Sequence, residues 1–159
     1  MVSKENILSL LENVCDPEVP ALTILDLGIV RDVIITKDQI EIVITPTYSG
    51  CPAMNAISAN IKFELIAQGF EKVKVSEVLS PAWTTDWMSD EGKRKLKEFG
   101  IAPPQYKVKD DPRPEDAVVP CPYCNSRKTK MLSEFGSTSC KSMYKCSDCL
   151  EPFDYFKCH

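Results

Sequence analysis

The chain has 159 residues, 43 % hydrophobic and 26 % charged, the balance of an ordinary globular protein of one or two domains. Its formal net charge of −4 argues against nucleic acid as the main partner, because phosphate neutralisation needs clustered Lys and Arg. No apolar run approaches the roughly 20 residues needed to cross a bilayer, so no membrane partner is expected.

Residues 3–15 read as a helix. Ser3 is placed to cap it, Glu5 suits the positive first turn, and Ile7, Leu8, Leu11 and Val14 share a face. Such a start is a capped amphipathic helix rather than a signal peptide, so the expected location is cytoplasmic, with thiols reduced or metal-bound. Cys15, on the apolar side of that helix, reads as plain core. The loop DPEVPALTILDLGIV then carries three carboxylates, Asp16, Glu18 and Asp26, on an otherwise apolar segment, and Gly28 turns the chain into the next strand. Each carboxylate has an ordinary use: Asp16 before proline starts a turn, Asp26 caps an N–H, and Glu18 faces water. A shared site is the other reading.

Val30–Thr36 and Gln39–Thr45 form an expected hairpin, with Ile40, Ile42 and Ile44 on one side and Glu41 and Val43 on the other. A helix follows over Pro52–Gln68, where Met54, Ile57, Ile61 and Leu65 have helical spacing, Pro52 fits the first position and Gly69 the stop. Lys72–Leu79 alternates as a third strand. The expected first domain, residues 1–102, is an αββαβ α+β sandwich with a short added helix over Asp90–Phe99. Before that helix, SPAWTTDW reads as an exposed-looking loop whose tryptophans, Trp83 and Trp87, suit interface anchors or core packing equally. A proline-rich linker spans 103–117.

Residues 118–159 carry the densest chemistry. Six of the eight cysteines fall here, and two Cys-x-x-Cys pairs, Cys121/Cys124 and Cys146/Cys149, are separated by 21 residues. Each pair supplies two thiolates from one tight knuckle, and four thiolates make a tetrahedral zinc site. Disulfides fit a cytoplasmic chain poorly, and a redox Cys-x-x-Cys would sit in a βαβ pattern that is missing here. Cys140, Cys158 and His159 are surplus to four ligands. Cys140 is either a thiol outside the site, a replacement for one knuckle cysteine, or a ligand to a second ion with Cys158 and His159. Phe153, Tyr155 and Phe156 are expected to pack over the knuckles.

One residue of the first domain stands apart. Cys51 lies between Gly50 and Pro52 at a predicted helix start, where unpaired N–H groups and the helix dipole favour a thiolate. A small buried core residue is the equal alternative. The single histidine, His159, excludes Ser/His/Asp and Cys/His catalysis in the body of the chain. Any iron held here needs sulfur and oxygen ligands. A redox pairing of Cys51 with Cys15 lacks an identifiable resolving partner.

The segments DPEVPALTILDLGIV and TPTYSGCPAM resemble the metal–sulfur cluster assembly domain of the SufT-like family, over about residues 4–100. The tail, CPYC, SEFGSTSCK and YKCSDCLEPFDYFK, looks like the C-terminus of the phenylacetate-degradation protein D (PaaD-type) family. That family is the accessory member of the multicomponent phenylacetyl-CoA epoxidase system. The resemblance implies a reactive cysteine at Cys51, near Asp16, Glu18, Asp26 and Thr47, and a zinc site at Cys121, Cys124, Cys146 and Cys149. It implies no catalytic centre for the oxygenation itself. The function it leads us to expect is delivery of iron or an iron–sulfur cluster, held transiently at Cys51, to a partner subunit. The oxygenase and [2Fe–2S] reductase components are the expected partners, and an open sheet edge suits a homodimer. The alternative is a structural or docking subunit of the epoxidase.

Overall fold

The computed structural model describes residues 1–110 and 117–156. Cys158, His159 and residues 111–116 of the expected linker lie outside the described residues. The chain is mixed α and β and divides into two compact units: Met1–Trp83 with Trp87–Ser89, and Thr84–Asp86 with Asp90–His159. Among the described residues no helix is long and apolar enough to cross a membrane.

In the first unit, helix α1 (Lys4–Leu11) begins where the Ser3 side chain accepts from the Asn6 N–H. It ends earlier than the apolar spacing suggested. The Asn13 and Val14 N–H groups close tight turns onto Leu10 and Leu11, and Cys15 leaves the helix to bridge Thr23 in extended pairing. Cys15 is therefore exposed rather than core, since its side chain no longer follows the helix face.

A second helix, α2 (Ile24–Leu27), lies in the segment expected to be a loop. Its sequence reason is a reciprocal cap: Thr23 accepts from the Asp26 N–H while the Asp26 carboxylate accepts from the Thr23 N–H. Gly28 ends it in the left-handed region, at φ 72°. Strands β1 (Val30–Ile35) and β2 (Ile40–Ile44) form the expected antiparallel hairpin. Helix α3 (Ala53–Ala67) returns the chain so that β3 (Val73–Glu77) pairs parallel to β2, in the order β1-β2-β3.

Along β2, Ile40, Ile42 and Ile44 are buried and Glu41 and Val43 only half-buried, the alternation of a one-faced sheet. Helix α3 buries Met54, Ile57, Ile61 and Leu65, and it packs on α1 and β3. Burying a side chain of that size contributes about 1.5–3 kcal/mol, so this stripe and the sheet form the main core. Trp83 joins it. It is 5 % exposed, and its indole N–H donates to the Leu27 carbonyl at 2.8 Å. It is thus no surface anchor, whereas Trp87 is half-buried beneath the Arg31 guanidinium, 3.6 Å from the ring centre.

In the second unit, helix α4 (Asp90–Glu98) leads through Gly100 into β4 (Ile101–Ala102). Strands β5 (Thr129–Ser133), β6 (Lys141–Cys146) and β7 (Pro152–Phe156) complete a sheet ordered β4-β7-β6-β5, with β4 parallel to β7 and the other pairs antiparallel. The expected division placed α4 and residues 101–102 with the first domain. Strand pairing groups them with the second unit, since Ile101 and Ala102 lie opposite Asp154 and Tyr155.

Candidate metal centre and the Cys51 loop

Both Cys-x-x-Cys segments fold as the same knuckle. The Cys121 N–H donates to the Ser126 carbonyl at 2.9 Å, and the Cys146 N–H donates to the Glu151 carbonyl at 3.0 Å. The residue after each second cysteine adopts a left-handed backbone: Asn125 at φ 60° and Leu150 at φ 65°. Pairing of β5 with β6, and Ser126 donating to Asp148 across the gap, brings the knuckles face to face. The four sulfurs then lie within 4.8 Å of one another. Cys121 to Cys149 is 3.7 Å and Cys124 to Cys146 is 3.5 Å. A zinc–sulfur bond of about 2.3 Å sets tetrahedral S···S edges near about 3.8 Å, whereas a disulfide needs about 2.05 Å. The donor set and its spacing therefore fit a four-thiolate metal site.

Electrostatics point the same way. The Cys149 N–H, with that of Asp148, donates to the Cys146 sulfur and brings that thiol down to about 6. The Glu151 N–H lowers Cys149, but burial and the neighbouring sulfurs outweigh it and push that thiol up to about 12. Neighbouring thiolates at Cys146 and Cys149 thus oppose one another, and a bound cation would relieve that repulsion. A small apolar core backs the site: Tyr144, Phe153 and Tyr155 cluster with Cys121, Cys146, Val119 and Ala102. Tyr144 stacks on Phe153 and meets Tyr155 edge-on, with centroids 5.9 and 5.6 Å apart. Cys140 is buried outside this group, its sulfur 2.9 Å from the Thr138 hydroxyl.

The Cys51 loop belongs to the first unit. Cys51 is 9 % exposed, just ahead of α3. Its N–H donates to the Tyr48 carbonyl and its own carbonyl accepts from Met54, both at 3.2 Å. Pro52 is the N-cap rather than the first helical residue, and it supplies no side-chain cap. Gly50, just before it, has φ 76° and open space where a Cβ would point. Thr47 is half-buried in the same loop.

The carboxylates have backbone work. Asp16 accepts from the Glu18 and Val19 N–H groups at 2.7 and 3.3 Å. Asp26 accepts from Thr23 at 3.1 Å and from the Ser89 hydroxyl at 3.2 Å. Glu18 is half-buried. Among the described residues, the four ribbon cysteines are the group of three or more Cys, His or carboxylate side chains close enough to share an ion. Cys51, Asp16, Glu18 and Asp26 do not form such a group. The left-handed residues of the knuckles and the short helix that Asp26 caps were missed from sequence. The Thr23-x-x-Asp26 spacing was the available signal for the second.

Both parts of the chain match known families. Residues 105–157 match the PaaD zinc beta ribbon domain, and residues 4–77 match the iron-sulfur cluster assembly protein family. A protein of Escherichia coli (strain K12), provisionally named as the D component of 1,2-phenylacetyl-CoA epoxidase, is 47 % identical over 96 % of this chain and 91 % of its own length. The chain belongs to the PaaD-type family of phenylacetyl-CoA epoxidase components. The first unit of this PaaD-type chain has further relatives. An Fe-S protein maturation auxiliary factor of Porphyromonas gingivalis is 30 % identical, over 59 % of this chain and 90 % of that protein. Another, YitW of Bacillus subtilis, is 40 % identical over 54 % of this chain and 85 % of that protein. The crystal structure of a domain of unknown function from Bacillus anthracis superposes with a TM-score of 0.55 at 30 % identity, covering 58 % of this chain and 90 % of that one.

Proposed function

We propose that this PaaD-type family member is an accessory maturation factor of the phenylacetyl-CoA epoxidase of aerobic phenylacetate degradation. It aids insertion of iron or an iron–sulfur cluster into a partner subunit, with the [2Fe–2S] reductase component as client and the oxygenase as the further partner. The carrying observation is one chain that joins a cluster-assembly domain, with Cys51 beside an open Gly50 at a helix start, to a four-cysteine ribbon. A single cysteine sulfur with an incomplete ligand set suits a donor that must release its cargo. Asp16 and Asp26 shape the loop through the N–H bonds they accept, and Thr47 and Glu18 are the further candidates for contact with the cargo or its client. The ribbon holds zinc through Cys121, Cys124, Cys146 and Cys149, and that ion supplies folding energy to a segment with a small core. The chain carries out no oxygenation of its own.

Cells that depend on this protein for epoxidase turnover test the role of Cys51. Cys51→Ala is expected to reduce client activity to the level of cells lacking the protein, with the variant folded and its ribbon metal retained. Full client activity with Cys51→Ala contradicts the mechanism.

A further inference from the structure

The outer face of the ribbon carries a groove of about 260 Å³ lined by Lys130, Leu132, Lys145, Cys146, Ser147 and Leu150. Three features of it cost free energy in the isolated chain. Lys130 and Lys145 are directly opposed across β5 and β6, where like charges repel. Both are exposed, and neither has an acidic partner among the described residues, in contrast to Lys128, which lies 3.9 Å from Asp148. Leu132 and Leu150 flank them, 54 % and 64 % exposed. Leu150 also holds a left-handed backbone, a position that Gly or Asn fills at lower cost, as Asn125 does in the other knuckle. An edge lysine commonly guards against strand addition. That accounts for Lys130 on β5, but not for Lys145 on the inner strand or for the two leucines.

We infer that this groove is a docking site for an extended acidic–aliphatic segment of a partner protein. Carboxylates meet the two opposed ammonium groups and relieve their repulsion, aliphatic side chains cover Leu132 and Leu150, and the segment's main chain runs along the free edge of β5. A nucleic-acid strand fits worse. Its phosphates would sit against two leucines, with Asp148 and Glu151 in the same knuckle, on a chain of net charge −4. In naming the partner as an epoxidase component, this inference rests on the reading above.

The test titrates the zinc-loaded full chain with a synthetic peptide of alternating Glu and Leu, following backbone amide NMR shifts. A Lys–Leu peptide and a single-stranded oligonucleotide serve as comparisons. Shifts at Lys130, Leu132, Lys145 and Leu150 are expected with the Glu–Leu peptide alone. Lys130→Glu with Lys145→Glu should weaken binding about tenfold or more, as loss of a central contact does. Leu150→Gly should weaken it too, while melting temperature and zinc content hold or rise, because glycine relieves the backbone. A purely structural Leu150 predicts the opposite, a loss of stability with binding unchanged. Shifts elsewhere, unaltered binding by the variants, or an equal response to the oligonucleotide overturns the inference. The same variants are then assayed against purified oxygenase and reductase components. If a component binds wild type and variants alike, the groove is wrong and the accessory reading stands. If the peptide seats in the groove and no component binds wild type, the groove stands and the accessory reading fails.

Discussion

Gly28 illustrates how a single position fixes the first unit. Its φ of 72° lies in the left-handed region, and a Cβ there would overlap the Trp87 carbonyl oxygen and come within 2.9 Å of its carbon. The same turn is clamped by the Trp83 indole on Leu27 and by Ser89, whose N–H donates to the Asp26 carbonyl at 2.9 Å. Gly28→Ala combines backbone strain with a clash against main chain, which has little room to yield. We expect a loss of about 2 kcal/mol or more in urea unfolding, read as a lower midpoint at unchanged slope. Gly50→Ala is the internal control: it shares the positive φ but meets nothing, so its cost should stay near about 1 kcal/mol. The need for a turn at Gly28 was legible from the sequence. The reason only glycine fits was not, because Trp87 is distant in the chain.

Among the elements, those with a long enough period were the readable ones. Ile40, Ile42 and Ile44 declared β2, and Met54, Ile57, Ile61 and Leu65 declared α3. The four-residue α2 is shorter than two turns and offers no period, so its capping box was the one available signal. Strand β4 has two residues and exists because β7, some fifty residues later, pairs with it. Cys15 was misplaced, and Trp83 left open between surface and core, for a related reason. A side chain's direction outside a regular element is set by tertiary contacts, and the helix expected to carry Cys15 inward had already ended. The parallel pair of β2 with β3 makes its own prediction. Glu41 accepts from the Ser76 hydroxyl and lies 3.1 Å from Lys74 on the neighbouring strand, and these bonds hold its carboxyl below the usual glutamate range. A depressed folded value means that the stabilisation is present above the unfolded value and is lost as pH falls through the folded one. Stability should therefore drop on acidification below about pH 4.5. Glu41→Gln should flatten that part of the pH profile in thermal melts while lowering stability at neutral pH. An unchanged profile would mean that solvent screens the interaction.

Across the whole molecule, the chain divides into two compact units. The second core is built around Cys121 and Cys146 themselves, with Tyr144, Phe153 and Tyr155 packed on them. Removing the metal leaves four crowded sulfurs with no cation between them, so the ribbon loses its organising centre. The first core contains none of these residues, and both tryptophans lie in that unit. A strong chelator should therefore abolish ribbon structure, read by backbone NMR shifts of residues 121–156, while tryptophan fluorescence stays native. Loss of both signals together would show that the units fold as one. The cysteine spacing alone made the metal centre legible, because a knuckle is a local motif. The helix start at Cys51 was legible, but its burial was not, because a single loop residue carries no periodic signal.

The central claim is that Cys51 carries iron or a cluster to a client. The most direct measurement is iron and acid-labile sulfide in the reductase and oxygenase components, purified from cells that make wild-type protein, Cys51→Ala, or none. The account predicts full loading with wild type and depleted iron or sulfide in the other two preparations. Clients loaded equally in all three, yet slow to turn over until this protein is added back, would contradict it and leave a docking component that acts through the ribbon.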